Sequence, residues 1–304
     1  MSNNNKTNKC YKLNPKLPSK QQLYEELSQI FIQNFDKINK KEIGPTIQNI
    51  HENIFEEDLS IVVDDLVNFY FKEVNEGKDK NERKQHILDC INNLNITLQE
   101  ICNWLLNNQN NSNSIYLLGY FNCHGIGMSV NKQNAFELYL KATELENNSA
   151  QFDLAILYMD RNDIDNNLGK TFELSKVLAK KEYPGGINLL GYCYDIGIGT
   201  DINTQKAFEL YHIAAELGNS HGINNLGCCY DNGIGTDVNK QKAIELYQKA
   251  ANLGNDIAQY NLALMYECGD GINKDVDQAI FWYKKSAEQG YEYAQNKLKA
   301  LLKE

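Results

Sequence analysis

The residues of this chain that could do chemistry are its glycine-rich loops, its histidines and its eight cysteines. Paired glycines recur at Gly125 and Gly127, Gly197 and Gly199, Gly233 and Gly235, and Gly269 and Gly271. Such loops can cradle a phosphate, but a nucleotide-binding loop needs GxxxxGK followed by Ser or Thr after a strand. Here each GxG follows a helical pattern and precedes a helix-start signal, so turn formation accounts for it. His124, His212 and His221 have no carboxylate or cysteine at a diagnostic spacing. No CxxC occurs among the cysteines at 10, 90, 102, 123, 193, 228, 229 and 268, which argues against zinc. Glu137, Glu173, Glu209 and Glu245 fall 36 residues apart, as one solvated helix face would. The expectation is a protein with no catalytic set, no cofactor and no metal, and so not an enzyme.

The elements that would position these residues form a repeat. Gly119, Gly191 and Gly227 stand in LGYFNCHGIG, LGYCYDIGIG and LGCCYDNGIG, and Ala263 in LALMYECGDG extends the same 36-residue step. Ala135, Thr171, Ala207, Ala243 and Ala279 make a second column. Asn131, Asn167, Asn203, Asn239 and Asp275 make a third, of strong helix N-caps. A fixed period of this size is the signature of a solenoid. The reading is an all-α fold: an α-solenoid of antiparallel helix pairs, a tetratricopeptide-like superhelix, with an N-terminal helical region. Five units are expected, at 114–149, 150–185, 186–221, 222–257 and 258–293, with a capping helix in 294–304. A helical glycine costs about 1 kcal/mol against alanine. The expected compensation is close approach by small residues of the second helix, Ala207, Ala214, Ala243 and Ala250. Unit two departs, with Arg161 and Asp163 for the loop glycines and Leu178 for a small residue, and local distortion is expected there.

Before the repeats, 1–19 reads as a disordered tail, 20–76 as a helical region and 81–113 as capping helices. Helices are expected at 21–38, 45–55, 57–76, 81–94 and 97–108, the last opened by a Thr97–Glu100 capping box. The net charge of −10 argues against a nucleic-acid partner. It is uneven: residues 1–20 hold five lysines and no acid, so the rest carries −15. No apolar leader and no run of 18 apolar residues occurs, so no membrane partner and a cytoplasmic location are expected.

The LGxxY, GxG and AxxxYxxAA elements resemble the Sel-1-like repeat family, a relative of the tetratricopeptide repeat, over 114–293. One secreted branch of that family is stapled by regularly spaced cysteine pairs, and that spacing is missing here. The text from Phe69 to Phe121 also resembles arrays that follow fungal-type protein kinases, although no HRD, DFG or VAIK signature is present. The tetratricopeptide likeness implies groove positions three before, one after and four after the LG glycine. On this chain these include Tyr116, Tyr120, Phe152, Met159, Asn188, Tyr192, Asp195, Asn224, Asp231, Tyr260 and Glu267. The groove would be aromatic at units one and two and acidic at units three to five. Packing between units is the competing account of the aromatic residues. The implied function is a non-catalytic protein–protein interaction scaffold, a signalling adaptor. It would hold a protein or peptide partner with apolar anchors at one end and basic residues at the other. The alternatives are a regulatory or diverged fragment of a kinase-linked protein docking through the N-terminal helices, and a hydrolase-type enzyme. The oligomeric state is open.

Overall fold

The computed structural model describes residues 56–94, 96–159 and 167–301. The expected tail, the helices at 21–38 and 45–55, and Arg161 and Asp163 lie outside these. All described residues form helices and short connections. In chain order the helices are α1 (Glu56–Glu76), α2 (Lys80–Asn93), α3 (Leu98–Asn107), α4 (Ser112–His124), α5 (Lys132–Glu144), α6 (Asn148–Met159) and α7 (Leu168–Lys180). They continue as α8 (Pro184–Ile196), α9 (Thr204–Glu216), α10 (Ser220–Asn232), α11 (Lys240–Asn252), α12 (Asp256–Cys268), α13 (Val276–Glu288) and α14 (Glu292–Leu301). From α4 onward each helix packs on the one before and the one after it, the nearest-neighbour contact pattern of a stacked array.

The helix starts follow from local chemistry. Asn131, Asn167, Asn203, Asn239 and Asp275 each accept a hydrogen bond from the backbone N–H three residues on. First helices have caps of their own, Asn111, Asn219 and Asn255. The Thr97–Glu100 capping box is present.

The helical glycines work differently from the expectation. A Cβ on Gly119, Gly191 or Gly227 would lie 2.8–2.9 Å from ring carbons of Tyr139, Tyr211 or Tyr247. These glycines make room for a tyrosine ring of the partner helix, not for an alanine. Ala214 serves the junction to the next unit instead: a Cβ on Gly222 would lie 2.7 Å from the Ala214 Cβ. In unit two Leu178 fills that place and is 1% exposed. Gly186 accommodates it, since a Cβ there would lie 2.3 Å from the Leu178 Cβ. In units three to five the second loop glycine grips the preceding unit. Gly199, at φ +64°, leaves no room for a Cβ, which would sit 2.3 Å from the Leu168 carbonyl oxygen.

α3 takes the place of a preceding repeat's second helix. Gly127 packs on its Leu98 and Cys102, as Gly235 packs on Thr204 and Phe208. α1 carries Leu59, Val62, Val63, Leu66, Val67, Tyr70 and Val74 on one stripe, each at most 8% exposed. They join one core with α2 to α6. At about 1.5–3 kcal/mol per buried side chain, that stripe contributes on the order of 10 kcal/mol.

Candidate functional site

First helices α4, α6, α8, α10 and α12 carry the expected groove columns, and α1 lies across α4, α6 and α8. Its Tyr70 ring sits 5.7 Å from Tyr116 and 5.0 Å from Tyr120. The Tyr70 hydroxyl donates to Asp153 at 2.6 Å and the Tyr116 hydroxyl donates to the same carboxylate at 2.9 Å. Burial raises the Asp153 pKa, against the pull of Arg83 and the tyrosine hydrogen bonds. From α2, Arg83 lies over the rings of Tyr70 and Phe152, and Lys84 donates to the His124 carbonyl. Glu73 of α1 pairs with His86 of α2 and raises that imidazole's pKa.

The far end of α1 reaches the start of α10. The Asn219 side-chain amide donates to the Asn75 carbonyl at 2.9 Å, and the Ser220 hydroxyl donates to the Gly77 carbonyl at 2.6 Å. Gly185 admits this end, because a Cβ there would meet Val74 at 3.0 Å. Its N–H donates to the Asn75 side chain. Burial lowers the His124 and His221 pKa values to about 4, helped by Lys84, Arg83 and Lys80 at the first and by Arg83 at the second.

The aromatic end is therefore corrected. Tyr116 and Tyr120, 0% and 2% exposed, are core residues under α1 and meet no solvent for a partner. Phe152 is half-buried beneath Arg83, and Met159 is half-buried at the end of α6. At the other end Tyr192 is 38% exposed and Asn224 is buried. Asn188, Asp195, Asp231, Tyr260 and Glu267 are half-buried. The Tyr260 ring packs against Tyr283, Tyr291 and Tyr293.

The acidic row is partly spent internally. Tyr211, Tyr247 and Tyr283 donate their hydroxyls to Asp195, Asp231 and Glu267 at 3.2, 3.4 and 2.5 Å. Lys240 bridges Asp231 and Asp270 at 2.6 and 2.8 Å, and Lys297 holds Glu267 at 3.0 Å. Burial raises Glu267, but the Tyr283 and Lys297 contacts outweigh it and lower its pKa. Among the described residues no cation pairs with Asp195, whose pKa burial raises.

Sequence reasoning missed Tyr70, Arg83, Asp153, Gly185 and Asn219, which hold α1 in place. The signals were present in two forms. The α1 segment is apolar on more than one face, and Gly185 stands where other units carry Asn113, Ser149, His221 and Ile257. Among the described residues no cluster of His, Cys, Asp and Glu could hold a metal, and Cys90, Cys102, Cys193, Cys228, Cys229 and Cys268 are free thiols. No described helix is long and apolar enough to cross a membrane.

The array is similar to a Sel1 repeat protein from Oxalobacter formigenes, at 28% identity and TM-score 0.55, covering 77% of this chain and 86% of that one. It is also similar to c5321, a protective antigen of uropathogenic Escherichia coli displaying an SLR fold. There the identity is 26% and the TM-score 0.52, over 82% of this chain and 57% of that one. Among curated proteins none matches this chain. The Sel1 repeat model matches at 112–147, 148–181, 184–219, 220–255 and 256–291, beginning two residues ahead of each expected unit. Proteins built on this repeat generally mediate protein–protein interaction and are generally non-catalytic. With those five matches over more than half its length, the chain belongs to the Sel1 repeat family.

Proposed function

We propose that this protein is a non-catalytic scaffold that holds a protein or peptide partner on the inner face of repeats three to five. The observation that carries this reading is the contrast in exposure along one column. Tyr120 is 2% exposed beneath α1, whereas Tyr192, two repeats on, is 38% exposed. An aromatic side chain open to solvent beside a carboxylate without a cation suits a partner with a basic residue. Asp231 and Glu267 supply further acceptors if Lys240 and Lys297, themselves partly exposed, swing aside. A signalling role, and the likeness of Phe69 to Phe121 to kinase-attached arrays, belong to this proposal and rest on sequence text. The free thiols of Cys102, Cys193, Cys229 and Cys268 suit a reducing compartment, taken as the cytoplasm.

The test is affinity capture from the native cell with wild type and with Tyr192→Ala/Asp195→Ala. Loss of the captured partner by a stably folded double variant supports the reading. Unchanged capture rules out this face.

A further inference from the structure

The end of α1 is tied to the array by side chains at the starts of α10 and α12. Asn255, the N-cap of α12, accepts the Ala258 N–H on its Oδ1 at 2.8 Å. That bond fixes which way the amide points, so Nδ2 presents both its donors to α10. One goes to His221 Nδ1 at 2.9 Å and the other to Ser220 Oγ at 3.3 Å. Ser220 in turn donates to the Gly77 carbonyl at 2.6 Å. Asn255 and Ser220 are buried, and His221 is half-buried. His221 Nδ1 is therefore an acceptor, and the neutral ring keeps its proton on Nε2. Gly77 is closely seated: at φ +74° a Cβ on it would lie 2.9 Å from the Ser220 backbone nitrogen. The His221 column carries an imidazole only here, where α1 ends, with Asn113, Ser149, Gly185, Ile257 and Tyr293 elsewhere.

We infer that His221 is the acid-sensitive element of a latch on the end of α1, and that its protonation releases residues 74–79 from the array. The inference goes beyond the partner reading and does not depend on it. A proton on Nδ1 turns the acceptor into a donor that faces a donor. The Asn255 amide can meet it only by turning over, which removes the oxygen from the α12 cap and the nitrogen from Ser220. Ser220 then loses the bond that orients its hydroxyl toward Gly77. The new charge also stands beside Arg83 of α2. Asp79 attracts it, but that carboxylate already accepts the Asn81 N–H as the N-cap of α2. Asp256 of α12 faces Asp79 and Glu82. Burial, helped by Arg83, lowers the His221 pKa to about 4 in the latched state. The latch is thus favoured above the ordinary value near 6.5 and loses that advantage as pH falls from there toward 4. Release uncovers the Gly185 backbone and the Asn219 amide, which the end of α1 now occupies.

Amide hydrogen exchange of the full chain, with rates converted to opening constants, tests the latch. The reporters are the Gly77 and Lys78 N–H groups, bonded to the Val74 and Glu73 carbonyls. Between pH 7 and pH 4.5 their opening is expected to rise about fiftyfold, the factor that a pKa lowered from 6.5 to about 4 yields, while α13 keeps its protection. His221→Gln offers an amide oxygen to the same Asn255 donor without titrating, so it stays closed at pH 7 and loses most of the rise. Ser220→Ala opens 74–79 severalfold already at pH 7. His124→Gln, on α4, leaves the rise in place. An acid rise that survives His221→Gln, or that vanishes with His124→Gln instead, overturns the inference. So do a rise shared equally by α13, which is general unfolding, an absent rise in wild type, and unchanged exchange in Ser220→Ala.

Discussion

At repeats one and two the inner columns carry Tyr116 and Tyr120 roofed by α1 and Phe152 beneath Arg83, whereas at repeats three to five the same columns carry Asn188, Tyr192, Asp195, Asp231, Tyr260 and Glu267, which are all partly open to solvent, and a buried Asn224. One backbone plan thus supports two surfaces, and the difference lies in a few side chains per unit. Where the column is aromatic, the chain supplies its own covering helix and gains a continuous core. Where it is polar, tyrosine–carboxylate bonds within each repeat and asparagine–asparagine bonds between repeats satisfy the side chains, and no cover is needed. Fold and free surface are therefore separable in this molecule: the first half spends its inner face on stability and the second half keeps its own available.

Substitutions test that contrast most directly. Leu66 of α1 is 0% exposed, so Leu66→Ala is expected to cost about 3 kcal/mol, within the range for a large-to-small core change. Tyr192→Ala is expected to stay within about 0.5 kcal/mol. Urea midpoints for the two variants give the comparison, and similar losses would erase the distinction between halves.

Acidity sharpens it. His124 and His221 are held neutral at the α1–α2 junction, with folded pKa values lowered to about 4. A histidine whose folded pKa is depressed contributes stability above its ordinary value near 6.5 and loses it as pH falls from there toward 4. His221→Gln is expected to remove on the order of 2 kcal/mol of the difference in stability between pH 7 and pH 4.5. The groups facing His221 are Arg83, Asp79 and the Asn255 amide. A variant with the wild-type pH slope would show that this side chain is not a buried neutral base. His86 works in the opposite sense, because Glu73 raises its pKa and its contribution is lost as pH rises through that value.

Two smaller effects follow. Gly185→Ala pushes on Val74 of α1, where the new Cβ would meet side-chain and backbone atoms at 3.0 Å. It is expected to cost about 1–2 kcal/mol and to raise amide exchange in 74–78 before it does so in α12. Lys240→Ala removes the bridge between Asp231 and Asp270 in the open half. Its expected cost is below about 1 kcal/mol and disappears in high salt. A larger loss there would mean that the open half also depends on its inner face for stability.

Most of the fold was legible because its determinants are local. The five N-cap residues and the GxG turns act within a few positions of themselves, so their columns translate directly into helix ends. The tyrosine that fills the space above each helical glycine sits about 20 residues away, and its role was misread as belonging to alanine. The covering of Tyr116 and Tyr120 was not legible from the groove columns. It depends on Tyr70, Arg83 and Asp153, which meet through packing between segments up to 83 residues apart. The carboxylate columns were visible, but the tyrosine and lysine contacts that partly neutralise them were not, since those arise from the angle between helices.

The seating of α1 also bears on the order of events at the ribosome. Its carbonyls are held by Asn219 and Ser220, which are translated 143 to 145 positions later. A nascent chain therefore makes this helix before the tiers that receive it: its valine and leucine row waits for repeats one and two, and its last carbonyls wait for the start of α10. During that interval the segment is a natural client for a chaperone, and its late docking completes the N-terminal half of the protein.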